Sequence, residues 1–540
     1  MTDILLIQPP IRDFYLTLKR TIPYGLACIA SALRNKGFSV AIFDGLSTSK
    51  SRITDLPGEM DYVREFYAKP DHSPFGLFYH YRHFGYSFEH IGRAARDSRA
   101  FLVGISALFT PYFQEVLKVA ESVKRFHPTC RIVIGGHHPT AFPHSAMEHS
   151  AIDFVIRGEG EISMPLLAMA VKTGIPVKSI PGIVFRKKDG TLHVNEPAAG
   201  DTLNHLPLPA TDLIKHGFYQ RKNKGSTVIT TSRGCPLNCT YCSLGASSFV
   251  PYRRRSLPSV IKELDTEITK NNVRFIDFED ENISYDKKWF LNLLHEIKNR
   301  FPGCGLELRA MNGLLPSTLD DETVHAMKEA GFKTLNLSLG SISRDQLRRF
   351  NRPDLRKAFD GALKSAEKYG LNAVGYVIVG APDQETNESL ADLLFLAARR
   401  VLAGISVFYP APGSVDFKRC KAKNILPPSF SLMRSTALPL SHTTSRTEVV
   451  TLVRLGRILN FMKYLTDLET GPYPASIHRE AVQQTHTRIQ VGRKLLKMFL
   501  KDGKIRGMTP DGQIFEHNIS IPLTRRFIQK LKEIRIRGTR

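Results

Sequence analysis

Short apolar runs alternate with amphipathic stretches along most of the chain, and their two periodicities separate strands from helices. DILLIQPP, beginning at Asp3, reads as a buried strand. YGLACIASALRNKG is an amphipathic helix closed by Gly37, and FSVAIFDG is the next strand. Residues 46–86 break the pattern with many aromatics and few aliphatic repeats, and are expected to be an inserted loop. The alternation resumes with SFEHIGRAARD, FLVGISAL, FQEVLKVAESVKRF, RIVIGG, a short helix near Ser145, AIDFVIRG and ISMPLLAMAVKTG. Such a series predicts a doubly wound, mainly parallel sheet. GIVFRKKDGTLHVN then predicts a hairpin turning at Asp189-Gly190, and the Pro-rich LNHLPLPATDL a linker.

A second alternating series starts at Ser226. Its strands are STVITTS, VRFIDF, LELRAM, TLNLSL, AVGYVIVG and ISVFYP, separated by amphipathic helical patterns. Six strand–helix repeats predict a partial (β/α)6 barrel, whose chemistry belongs on the loops after the strand C-termini. From about Phe430 the pattern turns mainly helical, with a small hairpin in KIRGMTPDGQIFEH. The fold class is therefore α/β, with domains expected at 1–200 (Rossmann-like), 201–425 (partial barrel) and 426–540 (basic, mainly helical).

Composition narrows the class. A chain of 540 residues with 42% hydrophobic and 23% charged residues is an ordinary multidomain globular protein. It has no apolar run of the roughly 18 residues that span a bilayer. The start lacks the basic segment and cleavage site of a signal peptide, so a cytoplasmic protein is expected. Net charge is +24, and the segment 441–540 alone holds 19 Lys/Arg against 8 Asp/Glu. Phosphorylated, lipid or carboxylated small-molecule substrates all fit that charge. No recognisable RNA-binding module accompanies it, which argues against nucleic acid as the partner.

Seven cysteines do not make a disulfide framework in a chain this long, and three of them fall within eight residues. Ser232-Arg233-Gly234-Cys235-Pro-Leu-Asn-Cys239-Thr-Tyr241-Cys242 directly follows the first barrel strand. Three thiolates at these spacings can hold an iron–sulfur cube and leave one iron open to a substrate. A structural zinc site would require a fourth ligand, and no second Cys-x-x-Cys pair exists in the chain.

C-x-x-x-C-x-x-C on the first loop of a β/α barrel resembles the radical S-adenosylmethionine (SAM) superfamily. The resemblance implies a 4Fe–4S cluster on Cys235, Cys239 and Cys242, whose open iron chelates SAM. One-electron reduction then gives methionine and a deoxyadenosyl radical. It implies SAM contacts from Tyr241, from the acidic strand end Glu279-Asp280-Glu281, from Ser338, from the glycine-rich loop at Gly380, and from Glu385. Relatives often carry Gly-x-Glu-Ser after the fourth strand; here Gly340-Ser341-Ile342-Ser343 has no glutamate.

LLIQPP, IPYGLACIASALRNKGFSV, FLVGIS, RIVIGGHHPT and DFVIRGEGE occur in the order found in cobalamin-binding domains fused ahead of such barrels. That resemblance implies cobalamin contacts from Gly25, Ser106, Leu108, Phe109, Thr110, Gly135, Gly136, His137, Gly158 and Glu159. The Asp-x-His-x-x-Gly signature of an axial histidine is absent. Cobalamin without a protein histidine is therefore expected, its lower face covered by Leu108, Phe109 and Thr110. Together the resemblances cover about residues 1–415. They imply a cobalamin-dependent radical SAM methyltransferase acting on an unactivated carbon, supplied with electrons by a reductase, flavodoxin or ferredoxin. The alternatives are a cyclase or oxidoreductase with the same cofactors, and a non-catalytic corrinoid sensor, which the intact cysteine motif disfavours.

Overall fold

The computed structural model describes residues 2–17, 21–244, 250–470 and 479–539. The N-terminal sheet has parallel strands β1 (Ile4–Gln8), β2 (Val40–Asp44), β3 (Leu102–Ser106), β4 (Arg131–Gly135) and β5 (Phe154–Ile156). An antiparallel hairpin of β6 (Ile183–Arg186) and β7 (Leu192–Val194) extends it at one edge. The spatial order is β7-β6-β5-β4-β3-β1-β2.

Ile4, Leu5, Leu6 and Ile7 are all buried, because helices cover both faces of the sheet. Leu5 and Ile7 pack with α2 (Phe88–Ser98) and α3 (Phe113–Phe126). Ile4 and Leu6 pack with α1 (Tyr24–Arg34) and α4 (Gly160–Thr173) on the other face. The strand order reverses between β1 and β3, and in open α/β sheets ligands bind beyond the strand C-termini at such a switch point.

The barrel strands β8 (Lys224–Ile229), β9 (Val273–Phe278) and β10 (Glu307–Arg309) pair in parallel, as do β11 (Thr334–Gly340), β12 (Asn372–Val379) and β13 (Leu402–Val407). Two isolated parallel bridges, Leu308 to Phe332 and Leu314 to Leu337, join the two triplets. Helices α5 (Leu257–Asp265), α6 (Lys287–Arg300), α7 (Asp321–Ala330), α8 (Arg344–Phe350), α9 (Arg356–Lys368) and α10 (Thr386–Ala397) alternate with them. The six parallel strands expected from the alternation are all present.

Residues 46–86 are more than a loop. Strand Arg82–Phe84 pairs antiparallel with Ile11–Asp13 on one side and with Ser51–Ile53 on the other. Met60, Val63, Phe66, Tyr67 and Phe75 are buried in the same core as the barrel and the C-terminal helices. Buried Arg454 donates to the carbonyls of Phe66 (3.0 Å) and Phe75 (3.2 Å), tying this segment to α11 (Arg446–Thr470).

Helix α11 also seals the free edge of β13. Asn460 replaces a neighbouring strand there: its Oδ1 accepts from Ala403 N (2.8 Å) and its Nδ2 donates to Ala403 O (2.9 Å). A Cβ on Gly456 would lie 2.6 Å from Ile405 Cγ1, so the helix can approach the strand only without a side chain there. Helices α12 (Arg479–Asp502) and α13 (Ile521–Leu531) and the hairpin Arg506–Met508/Ile514–Glu516 complete a mostly helical C-terminal region. No helix among the described residues is long and apolar enough to cross a membrane.

Candidate functional site

The cysteine loop is anchored at both ends. Buried Asp280, just past β9, accepts from Thr231 N (3.0 Å), Thr231 Oγ1 (2.6 Å) and Ser232 Oγ (2.5 Å). Gly234 has φ +75°, and a Cβ would fall 2.6 Å from Pro251 O, so the turn into Cys235 requires glycine. Further along, Thr240 Oγ1 donates to Asp416 Oδ2 (2.9 Å) and to Arg349 O (2.9 Å). Between these anchors Cys235, Cys239 and Cys242 are free and half-buried.

Burial pushes the Cys242 thiol up to about 11, and the negative charge of Cys239, Cys235 and Glu281 adds to it. Burial, with Cys239 and Glu281 adding, raises Cys235 as well. A bound metal's positive charge would reverse that balance at Cys235 and Cys242. Among the described residues no three His, Cys, Asp or Glu side chains converge on a point for one ion. An iron–sulfur cube takes each thiolate on a different iron, so ligands spaced around a loop fit it.

The acidic strand end divides in role. Glu281 is the residue aimed at the cysteines: burial pushes its carboxyl up to about 7, and its buried Oε2 has no hydrogen-bond partner. Glu279 is half-buried beside it. Asp280 corrects the sequence expectation of a SAM contact, because its carboxylate is spent on Thr231 and Ser232. Glu385 is a second correction. It is exposed and forms a capping box with Glu388 at the start of α10, so it serves the helix.

Ser338 is half-buried in β11. Ser341 is turned away onto Asp392 (2.9 Å), whose carboxyl burial pushes up to about 8. Gly380 has φ +74°, and a Cβ would lie 2.8 Å from Val449 of α11; its glycine is explained by helix packing. Its carbonyl faces His442 Nε2 at 3.2 Å.

Arg352 was not found from the sequence, since it follows α8 and carries no motif. Its Nη1 lies 3.8 Å from Cys239 Sγ and donates to Tyr241 Oη (2.7 Å), and its Nη2 donates to Ser338 O (3.0 Å). Arg352 thus links the cysteine loop to β11. Tyr241 packs edge-on against Phe350, with ring centroids 4.9 Å apart. Arg352→Met is expected to make a cluster at this site harder to reduce, by on the order of 50 mV, because a cation beside its sulfurs favours the added electron. Redox titration followed by EPR measures the shift.

At the switch point of the N-terminal sheet, just after β3, the large apolar Leu108 and Phe109 are 44% and 57% exposed. Ser106 ends β3 opposite Gly135. Gly25 is exposed with nothing within 4 Å of a Cβ, and Gly135 meets only Ile156 O at 3.6 Å. His137 has exposed surface, yet surrounding protein lowers its pKa by desolvation. This open, apolar and glycine-edged surface suits a flat corrin.

Three expected contacts behave otherwise. Thr110 is buried with its hydroxyl 3.4 Å from His138 Nδ1, so it faces inward and does not extend the exposed Leu108–Phe109 surface. Gly136 and Gly158 are required by the chain itself. Added Cβ atoms would meet Ala107 O at 2.7 Å and Ala198 O at 2.2 Å.

Glu159 is the largest correction. Its carboxylate accepts from Arg233 Nη1 (2.9 Å), from Arg253 Nη2 (2.7 Å) and Nη1 (3.0 Å), and from Gly200 N (2.7 Å). Arg233 also pairs with Glu161. Burial opposes the Glu159 charge, but the Arg253, Gly200 and Arg233 contacts outweigh it and hold the carboxyl at about 2. Arg233 lies two residues before Cys235. Glu159 is therefore a latch that fixes the N-terminal domain against the cysteine loop.

Comparison with known proteins agrees with this division. Residues 76–168 match the B12 binding domain and residues 229–397 the radical SAM superfamily. An uncharacterized methyltransferase of Pyrococcus horikoshii is 28% identical over 432 residues, spanning 78% of this chain and 84% of that protein. The cytidylyl-2-hydroxyethylphosphonate methyltransferase of Streptomyces wedmorensis is 24% identical over 475 residues, 80% and 84% of the two chains. Among solved structures, the cobalamin-dependent SAM radical enzyme OxsB superposes with a TM-score of 0.65 at 14% identity, covering 93% of this chain and 72% of that one.

Proposed function

We propose that this radical SAM chain, with its B12-binding domain, is a cobalamin-dependent methyltransferase that places a methyl group on an unactivated carbon of a small molecule. The observation that carries the reading is the Glu159 latch. It ties the end of β5 in the N-terminal sheet, through Arg233 and Arg253, to the segment that carries the three thiols. With its groups bound, the protein would use a 4Fe–4S cluster to cleave SAM to a hydrogen-abstracting radical and cobalamin to supply the methyl group.

The chain's own residues divide that work. Cys235, Cys239 and Cys242 hold the cluster. Glu281 meets the amino group of SAM, which would give its unpartnered Oε2 a donor. Tyr241 and Ser338, linked through Arg352, border the nucleoside. Gly25, Ser106, Leu108, Phe109, Gly135 and His137 form the surface under the corrin, with no histidine ligand. The units are 1–200, 201–425 and 426–540, with residues 46–86 lent to the barrel core. A reductase, flavodoxin or ferredoxin supplies electrons from outside.

Glu281→Gln is expected to weaken SAM binding by about tenfold, or roughly 1.4 kcal/mol, with cluster content unchanged. Equilibrium dialysis of labelled SAM against the reconstituted enzyme reads this directly. The function itself is tested by product analysis after anaerobic reduction. Deoxyadenosine together with S-adenosylhomocysteine supports methyl transfer. Deoxyadenosine without S-adenosylhomocysteine would overturn it in favour of cyclisation or oxidation.

A further inference from the structure

Beside the free edge of β13, a cavity of about 370 Å³ opens between that strand, α11 and the inserted residues 46–86. This volume lies in the range of small-molecule sites. Strand alternation shows that it reaches both sides of the edge. Ala403, Ile405 and Val407 face α11, and Ser406, which also lines the cavity, points the opposite way. Ser406 is in register with Ile378 of β12, and Ile378 packs in one cluster with Tyr241. The cavity therefore lies at the edge of the barrel, on the strand whose neighbour β12 carries Ile378.

Its walls are largely apolar, with Tyr15 stacked on Phe78 at 5.4 Å and 9°. Most polar side chains lining it are already engaged. Asn460 is bound to Ala403, Ser435 Oγ donates to Val407 O (3.1 Å), Thr436 Oγ1 to Asp13 (3.1 Å), and Tyr67 Oη to Thr436 O (3.1 Å). Arg457 is the exception that carries charge. Among the described residues no carboxylate pairs with it, and the charge acting on it is a like one, Arg488. Burial, then that repulsion, lowers its pKa, although its side chain has exposed surface on the cavity. Arg457 is exposed on this cavity, and its planar fork matches a carboxylate or phosphate group.

We infer that this cavity is the substrate subsite for a molecule with an apolar, ring-sized body and one anionic group, which Arg457 recognises. The word substrate rests on the proposed methyltransferase reading; the anion preference of the cavity does not.

The test uses the full-length, anaerobically reconstituted chain titrated with anilinonaphthalene sulfonate and with its uncharged parent, phenylnaphthylamine. The sulfonate is expected to bind at least about tenfold more tightly. Arg457→Gln is expected to abolish that preference and leave the affinity of the uncharged parent within about twofold. Val453→Trp, which fills the cavity, is expected to weaken both probes. Equal affinities in the wild type would overturn the inference, as would a preference that survives Arg457→Gln or binding untouched by Val453→Trp. A wild type that prefers the sulfonate but never cleaves SAM would overturn the substrate role and leave the anion site standing.

Discussion

Cys239→Ala is expected to lower SAM cleavage by at least about a thousandfold, because the difficult step belongs to a cofactor that two thiolates no longer hold. The fold should survive the change. The loop is fixed by Asp280 on Thr231 and Ser232 at one end and by Thr240 on Asp416 and Arg349 at the other, and none of these bonds involves a cysteine side chain. Corrinoid binding should survive too, since its proposed surface is built on α1 and on the ends of β3 and β4. Deoxyadenosine formation under dithionite, read by chromatography, gives the rate. A variant that still produced deoxyadenosine at the wild-type rate would place the reactive centre elsewhere in the chain.

Glu159→Gln is expected to have the largest effect on stability. It leaves the buried guanidinium of Arg253 without its carboxylate and Arg233 with Glu161 alone, and breaking a buried ion pair from one side costs about 3–5 kcal/mol. Denaturant unfolding followed by far-ultraviolet circular dichroism should show the loss. Its pH dependence identifies the group. The Glu159 carboxyl is held at about 2 in the folded protein, below its usual 4.5. Its contribution is therefore complete above the unfolded value and is lost as pH falls from 4.5 toward 2. The difference between wild type and Glu159→Gln should narrow across that window. Equal stability, with corrinoid affinity alone reduced, would return Glu159 to the role of a ligand contact.

The contrast between Cys239 and Glu159 shows what a sequence can carry. Both lie just after strand ends, and both were expected to touch a cofactor. The cysteines are legible because their spacing is local and thiols so grouped have few other uses. Glu159 is not, because a carboxylate after a strand end can meet a ligand or an arginine equally well. Its partners Arg233 and Arg253 are 74 and 94 residues away. The same holds for Asp280 and Glu385, acidic residues consumed by the backbone and hydroxyls near them.

The alternating elements were legible for a simple reason: parallel strands covered on both faces must be continuously apolar, as Ile4–Ile7 are. Residues 46–86 hid their role because their aromatics complete a core whose other walls come from the barrel and α11, so no local period marks them. Arg352 and Arg457 escaped for a related reason. What distinguishes them is a neighbour, or the lack of one, that only the folded chain brings into view.

One chain is expected to hold an iron–sulfur cluster and a corrinoid on separate surfaces. Anaerobic reconstitution with iron, sulfide and hydroxocobalamin, followed by visible and EPR spectroscopy of the wild type and the triple Cys235/Cys239/Cys242→Ala variant, tests it most directly. The predicted result is a reducible 4Fe–4S signal and bound corrinoid in the wild type, with only the corrinoid in the variant. A wild type without the cluster, or a triple variant that keeps the same one, would contradict it.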